Sequence, residues 1–474
     1  MKKSVLIVVV GMALAGCQGV ENSLGLGKEN VVISGSSESI QFAVAWSSDL
    51  NAETAATTAT KRALAALDGE AKAVVFYTYY QDPNFKPDET SQATACKADM
   101  AAEATAAKAV NDACAGVPNI GCRARPLCNG GTLLKNAIAV MAVGGAKASA
   151  TTVATPIQDD RLATGKAIAD AMKDVTDLKL VLALAEMRLS FETKEGVSVE
   201  DFIKGVLDNT PKGTTLFGGN SMPDDMASAG GLSGRQFFNG KALKGHVVAV
   251  GIGGPVTSFG NHANEFKPSA KTAKVTKSKG KWVIQLDGKP AEGVYRNLSG
   301  MTPEDKLTSD WLHPIGVNLG DGKNYTRMIL NWVKDGKDKD GKAVDVPDGS
   351  LMFVAPVVDG TELYCLACQM KPEPIVTSAK STVAESAKAA RDAGVTAGVC
   401  LLSDCCARGM RLRTFGGFGT NDEVKEAVIP ALGKDVPIFG FYAWGELGRI
   451  QGDYAGMDHQ YQQHTFVSNL VGIK

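Results

Sequence analysis

Thr396-Ala397-Gly398-Val399-Cys400-Leu401-Leu402 and Val436-Pro437-Ile438-Phe439-Gly440 set the architecture of this chain. The first is an apolar run of strand length and the second a shorter one stopped by glycine. Residues 422–432 between them carry a helical pattern, and 465–471 form a closing strand. The same order occurs twice upstream. Residues 73–80, 98–114, 117–121 and 137–143 read as strand, alanine-rich helix, short strand and strand. Residues 178–185, 199–207, 214–219 and 246–252 repeat it. Strand–helix–strand units favour right-handed parallel crossovers, with the later strands antiparallel. The spacings differ among the copies, so this is no solenoid of fixed period, and we read it as an old duplication. The expected fold is α/β with mixed α+β character: mixed sheets with flanking helices, in two halves of weakly repeated strand–helix–strand–strand units.

A different texture separates the second copy from the third. Residues 271–276 and 281–286 alternate like a β-hairpin, 290–298 reads as a short helix, and 334–342, rich in Asp, Gly and Lys, joins two strand-like runs. A boundary near 301–312 divides the chain into parts spanning 38–300 and 301–474.

The start of the chain reads as an address. Lys2 and Lys3 precede an apolar stretch over 4–13, closed by Leu14-Ala15-Gly16-Cys17. A stretch this short does not span a bilayer as a helix, which takes roughly 20 residues. A charged start, short apolar middle and small-residue cut site mark a removed secretory signal, here residues 1–16. The Leu-Ala-Gly-Cys tetrapeptide resembles the lipobox of bacterial lipoproteins, which implies a lipidated Cys17 at the mature N-terminus. Two or more acyl chains anchor stably where one is marginal. Gln18 stands where the inner-membrane retention signal has Asp, which favours the outer membrane, periplasmic face. Residues 17–37 form a lipidated tether, rich in Gly, Ser and Asn beyond Cys17.

The charges nearly cancel, with 50 basic and 51 acidic residues, and no basic run interleaved with aromatics appears. That argues against a nucleic-acid partner. Beyond the leader no apolar segment is long enough to cross a membrane as a helix. Of the ten cysteines nine remain for the exported part, and an oxidising compartment makes disulfides the first expectation. Cys96, Cys114, Cys122 and Cys128 form one set, with connectivity open. Cys365, Cys368, Cys400, Cys405 and Cys406 form a second, odd-numbered set that leaves at least one thiol over.

Residues 438–448, Ile-Phe-Gly-Phe-Tyr-Ala-Trp-Gly-Glu-Leu-Gly, resemble the GFY-x-x-GE[IL] segment of FIST-domain proteins. Cys405-Cys406-Ala407-Arg408-Gly409 resembles that family's C-x-x-R-G turn, and His313-Pro314-Ile315-Gly316-Val317 its HP-[LI]-G opening of the C-terminal part. Ile120-Gly121-Cys122 and Phe217-Gly218-Gly219 match its GC and GG turns. The similarity covers about residues 40–474. It implies a sensory, ligand-binding module for small molecules such as amino acids, and a separate protein partner to carry the signal. Arg123-Ala124-Arg125 departs from the family's Ser/Thr, Gly and Glu, which weakens the case for an N-terminal ligand site. His459 and His464 both compete for the family's histidine near the last strand.

Four residues carry the expected site: Cys405, Arg408, Tyr442 and Glu446. Cys405 follows a buried strand, at the carboxyl end where α/β sheets bind ligands, and the nearby Arg408 cation favours its thiolate. The alternative is a bridge from Cys405 or Cys406 to Cys365, Cys368 or Cys400. Arg408 offers paired N–H donors to a carboxylate, and Glu446, in a glycine-flanked turn, offers a carboxylate to an ammonium group. Together they suit a zwitterionic amino acid. Tyr442 enters through the GFY resemblance. The Gly-rich run 416–421 reads as helix capping. Cys365-x-x-Cys368 lacks the His of haem attachment. Gly251-x-Gly253-Gly254 is followed by Pro255 rather than a helix and is rejected as a dinucleotide fingerprint. No cofactor or metal is implied, and no motif gives a positive reason for an enzyme. A thiol-dependent enzyme using Cys405 and an envelope interaction scaffold are the competing readings.

Overall fold

A six-element unit recurs three times in the computed structural model, which describes residues 30–36, 38–83, 98–224, 233–305, 307, 314–320, 323–367, 371–416, 422–454 and 457–474. The first unit comprises the strand Gln41–Ser47, helix Ala52–Ala65, strand Ala71–Tyr79, helix Met100–Cys114, short strand Asn119–Arg123 and strand Ala137–Gly144. In the second these are Ser149–Pro156, Arg161–Ala171, Leu178–Ala185, Val199–Leu207, Thr215–Asn220 and His246–Gly253. In the third they are Val256–Ala263, Glu373–Asp392, Thr396–Cys405, the helix Cys406–Gly416 with the later turns Val424–Val428 and Ile429–Leu432, Ile438–Ala443 and Phe466–Ile473. Each sheet places its first strand beside its last, the last beside the second, and the second beside the short strand. Only that final pairing is parallel. The α/β reading with mixed sheets and flanking helices is thus what the chain adopts.

The repetition holds at single-residue register. Gly121 lies opposite Phe76, Gly218 opposite Ala183 and Gly440 opposite Leu402. A Cβ on these glycines would stand 2.6 Å from the Phe76 carbonyl oxygen, 1.9 Å from that of Ala183 and 2.4 Å from the Leu402 Cβ. Only a residue without a side chain lets the two backbones approach so closely. The residue before each, Ile120, Phe217 or Phe439, points into one shared core.

The chain between short and last strand leaves its own unit in all three copies. Pro126–Cys128 and Gly131–Thr132 of the first unit extend the third unit's sheet, with Leu127 opposite Gly440. Gln236–Phe238 and Lys241–Leu243 of the second extend the first, with Phe237 opposite Gly121. Glu446–Tyr454 and Met457–Gln462 of the third extend the second, with Leu447 opposite Gly218. The exchange is cyclic, and each hairpin covers a sheet edge that would otherwise expose unpaired backbone.

Alternation along the strands builds the core. Val75 and Tyr77, Leu180 and Leu182, Val399 and Leu401 meet in the centre, where Tyr77 stacks on Phe439 at 4.3 Å between ring centroids. Their neighbours Val74 and Phe76, Val181 and Ala183, Cys400 and Leu402 turn outward under the helices. Burial on both faces is why these strands read as continuous apolar runs.

The third unit is interrupted between its first strand and first helix. The insertion is an antiparallel nine-stranded sheet holding Lys267–Lys279, Trp282–Leu286, Ile315–Gly320, Lys323–Arg327, Ile329–Lys334, Leu351–Phe353 and Glu362–Ala367, with short strands at Lys289–Pro290 and Lys337–Asp338. The helix Ala291–Ser299 packs on it through Tyr295. The expected hairpin and short helix both lie here, and residue 301 falls inside this module. Residues 1–29, which include Cys17, lie outside the described residues, as do Cys96, Cys368 and His313.

Candidate functional site

The third unit's parallel strands end side by side, with Cys405 opposite Ala443. Arg408 lies in the first turn of the helix that follows, Tyr442 at the end of the neighbouring strand, and Glu446 where the chain crosses to the second unit's sheet, opposite Gly219. Cys405 and Tyr442 therefore lie at one end of the third unit's sheet, Arg408 on the helix that leaves it, and Glu446 on the strand that joins the second unit's sheet. All are buried. Gly409 permits this packing, since a Cβ there would stand 2.6 Å from the Tyr442 ring.

Arg408 does not present its fork. Nε donates to Asp404 Oδ1 at 2.9 Å; one terminal nitrogen binds Glu265 and Ser378 Oγ, the other Glu423 and the Ile375 carbonyl. A guanidinium has five N–H donors, and the protein's own acceptors take them all, so the carboxylate clamp expected of Arg408 is corrected to an internal tie. Arg411 binds the other oxygen of Glu265 and lies 3.2 Å from His464 Nδ1. Burial, followed by the Glu423 charge, pushes the Asp404 carboxyl well above its ordinary range, against the pull of Arg408.

The Cys405 thiol is raised rather than lowered, first by burial and then by Cys406, with Arg411 opposing. The thiolate expected beside Arg408 is therefore not favoured: the dry surroundings outweigh a cation already bound to carboxylates. The expected disulfides are not seen among the described residues. Cys114, Cys122, Cys128, Cys400, Cys405 and Cys406 are buried thiols with no bridge among them. Cys122 and Cys128 pack in the central core, Cys400 and Cys406 beneath the third unit's helices, so each is held as a small apolar side chain.

Glu446 is wholly buried, and burial followed by Cys405 raises its carboxyl well above the usual range. Its two oxygens accept from the Gly445 and Thr465 amides, each at 3.2 Å. Beside it the Tyr461 hydroxyl receives Ser190 Oγ at 2.7 Å and Asn220 Nδ2 at 2.6 Å and donates to the Trp444 carbonyl at 2.8 Å. Gly445 has φ +110°, and a Cβ there would stand 1.5 Å from that hydroxyl. Thr326 and Arg327 of the inserted module close the cluster. Thr326 Oγ1 lies 3.2 Å from Thr465 Oγ1, and Arg327 binds the Tyr461 carbonyl, Gln460 Oε1 at 2.8 Å and Glu200 at 2.7 Å.

The two candidate histidines part company. His459 Nε2 accepts from the Leu216 amide at 3.2 Å and its Nδ1 faces Asp458 at 2.7 Å, so it serves the strand edge. His464 sits in the cluster, kept neutral by burial and by Arg411 and Arg408. Sequence reasoning missed Glu265, Glu423, Arg411, Asn220, Tyr461 and Ser190, which come from distant segments. Asn220 stands next to the Gly218-Gly219 turn, Arg411 three residues after Arg408 and Tyr461 between the two candidate histidines, whereas Glu265 and Ser190 lie near no signal.

Residues 92–289 of the chain match the FIST N domain and residues 291–449 the FIST C domain. Among curated proteins none matches significantly. Among solved structures, the chain aligns with phosphoribosylformylglycinamidine synthase II from Thermotoga maritima at 10% identity, over 94% of this chain and 74% of that one, with a TM-score of 0.18. It aligns with T. maritima PurL complexed with FGAR at 9% identity over the same shares, with a TM-score of 0.19. Likenesses this weak carry no argument about fold or function.

Proposed function

We propose, on the premise that this chain is a protein of the FIST N and FIST C families, that it is an envelope sensor binding a small amino-acid-like molecule and signalling through a protein partner. FIST domains are sensory domains that bind small ligands in signal transduction. The signal and lipobox at residues 1–17 support export and outer-membrane anchoring through Cys17.

One observation carries the ligand-sensing reading. Glu446 and Cys405 stand where the second unit, the third unit and the inserted module meet, in a hydrogen-bonded cluster drawn from all three, with Tyr442 on the strand beside that of Cys405. A buried network is costly to leave half-satisfied, so a small polar molecule that competes for its partners shifts the contacts between these parts. Glu446 is the group that receives an ammonium, which stabilises its charged form, and Arg408 positions the strand end. A raised, buried Cys405 thiol favours this reading over a thiol-dependent enzyme.

Calorimetry of the full chain in detergent against the twenty amino acids tests the proposal. Heat with at least one, lost in Glu446→Gln, is the expected result; no heat with any member overturns it. Lipid anchoring has its own test: labelled palmitate enters the wild-type chain and not Cys17→Ser. Unlabelled wild-type protein recovered uncut from the cytosol removes the anchor.

A further inference from the structure

Each unit's first strand is the outermost of that unit, and the three are not covered alike. In the first unit an added strand, Asn30–Gly35, runs antiparallel along Gln41–Ser47, which is buried throughout. In the third, Val256–Ala263 leads into the inserted module, where His262 Nε2 lies 3.1 Å from the Asn324 carbonyl oxygen. The second unit's Ser149–Pro156 has neither cover. It pairs with His246–Gly253 along its whole length. Among the described residues no strand pairs with its other edge, and no backbone bond leaves residues 149–156 on that side. Residues 149–154 are half-buried in consequence. Sheet edges are ordinarily blunted by charged side chains, a proline or a bulge. Here no charged residue falls within 148–158, the proline waits until 156, and the register has no shift.

We propose that this edge is a dimer interface: a second copy of the chain adds its own Ser149–Pro156 antiparallel, joining two six-stranded sheets into one about a twofold axis. The strand's own order of residues selects this occupant. A pairing centred on Thr152 sets Thr152 opposite its mate, Thr151 opposite Val153 and Ala150 opposite Ala154. Opposed side chains are then equal or close in size, and Thr–Thr pairs across strands are stabilising. Faces agree as well. Ala150 and Ala154 pack on the central core and Val153 on the side beneath the helices, so core face meets core face, as a self-complementary twofold contact requires. The helix above the strand fits the same arrangement. Arg161–Ala171 packs against Val199–Leu207 through Gly165, where a Cβ would stand 2.3 Å from the Phe202 carbonyl oxygen. At about 3.6 residues per turn, Ala163, Ala167 and Ala171 lie on the opposite side, all half-buried. Two such alanine faces let the helices of the two copies approach closely.

Disulfide trapping of the full chain in detergent reads the register. In Thr152→Cys the two new thiols meet across the axis, with Cβ atoms about 4.5–5.5 Å apart, and mild oxidation yields a linked dimer. Thr151→Cys, whose thiol faces Val153, links no more than wild type, which sets the background of the native cysteines. Adding Val153→Cys to Thr151→Cys restores the linked dimer. Sedimentation equilibrium in density-matched detergent gives twice the mass of one chain for wild type and for Thr152→Ser. Thr152→Lys sets two ammonium groups opposite each other and sediments as one chain, with a far-ultraviolet circular-dichroism spectrum that matches wild type. Wild type at the mass of one chain over the whole concentration range overturns the dimer. Equal linkage of Thr151→Cys and Thr152→Cys overturns the twofold pairing. If Thr152→Cys in intact membranes links only to a different protein, the edge takes a foreign strand and the self-pairing is wrong.

Discussion

Arg408 shows how far a single residue departs from what its neighbours in sequence suggest. Three carboxylates surround it, so removing the cation strands buried negative charge. Arg408→Met is expected to destabilise the chain by about 3–5 kcal/mol, and Arg408→Lys restores little of that, because an ammonium lacks the planar fork. Urea denaturation checks both; a loss below about 1 kcal/mol, the range of an exposed pair, means the network contributes little. A similar pairing sits in the first unit, where Glu103 binds Arg123 with both side chains fully buried. Burial raises the Glu103 pKa to about 7, with Arg123 opposing. A carboxyl raised on folding contributes stability below its unfolded pKa and loses it as pH rises through the folded value. Stability should therefore fall between about pH 4.5 and pH 7 through this group, and Glu103→Gln should remove that component of the slope. Parallel pH–stability curves for the two proteins contradict it.

At the scale of elements, the exchanged hairpins and close-packed glycines are one device. Gly440 faces Leu402 on one side and Leu127 of the incoming hairpin on the other. Gly440→Ala places a methyl 2.4 Å from the Leu402 Cβ, and overpacking of this kind costs about 1–3 kcal/mol. Gly293 is the control: it lies in the helix Ala291–Ser299 with nothing near the position of a Cβ, so Gly293→Ala should stabilise by up to about 1 kcal/mol. Thermal melts of the two variants should move in opposite directions, and a Gly440→Ala melt matching wild type refutes the close approach. Periodicity revealed the second strand, the helix and the short glycine-ended strand of every unit. The opening strand and helix escaped it. In Ala52–Ala65 the buried face is mostly alanine with one threonine, so no stripe of large apolar residues marks it. In the third unit the insertion puts 109 residues between Ala263 and Glu373.

For the whole molecule, cyclic exchange makes the three units depend on one another. A chain ending at Gly254 lacks Glu446–Gln462, leaving the second unit's short strand without its edge partner, and lacks the third wall of the central core. Such a fragment is expected not to fold cooperatively, whereas the full chain loses its three sheets in one transition. Hydrogen exchange on the full chain and urea titration of the fragment check this. A sharp, two-state transition of the fragment would show that the exchange is dispensable.

The amino-acid order by itself determined the α/β rhythm, its threefold recurrence, the hairpin and helix of the inserted module, and a common location for Cys405, Arg408, Tyr442 and Glu446. These depend on local periodicity and on which residues end a strand, and both are properties of short stretches. Tertiary structure alone decided that Arg408 is consumed by Asp404, Glu265 and Glu423, that Cys114, Cys122, Cys128, Cys400, Cys405 and Cys406 form no bridge with one another, and that the hairpins trade places. Each of those outcomes turns on groups far apart in the chain competing for the same donors, volume or sheet edge. Burial then sets the charge state, and no residue's burial is visible from its neighbours in sequence.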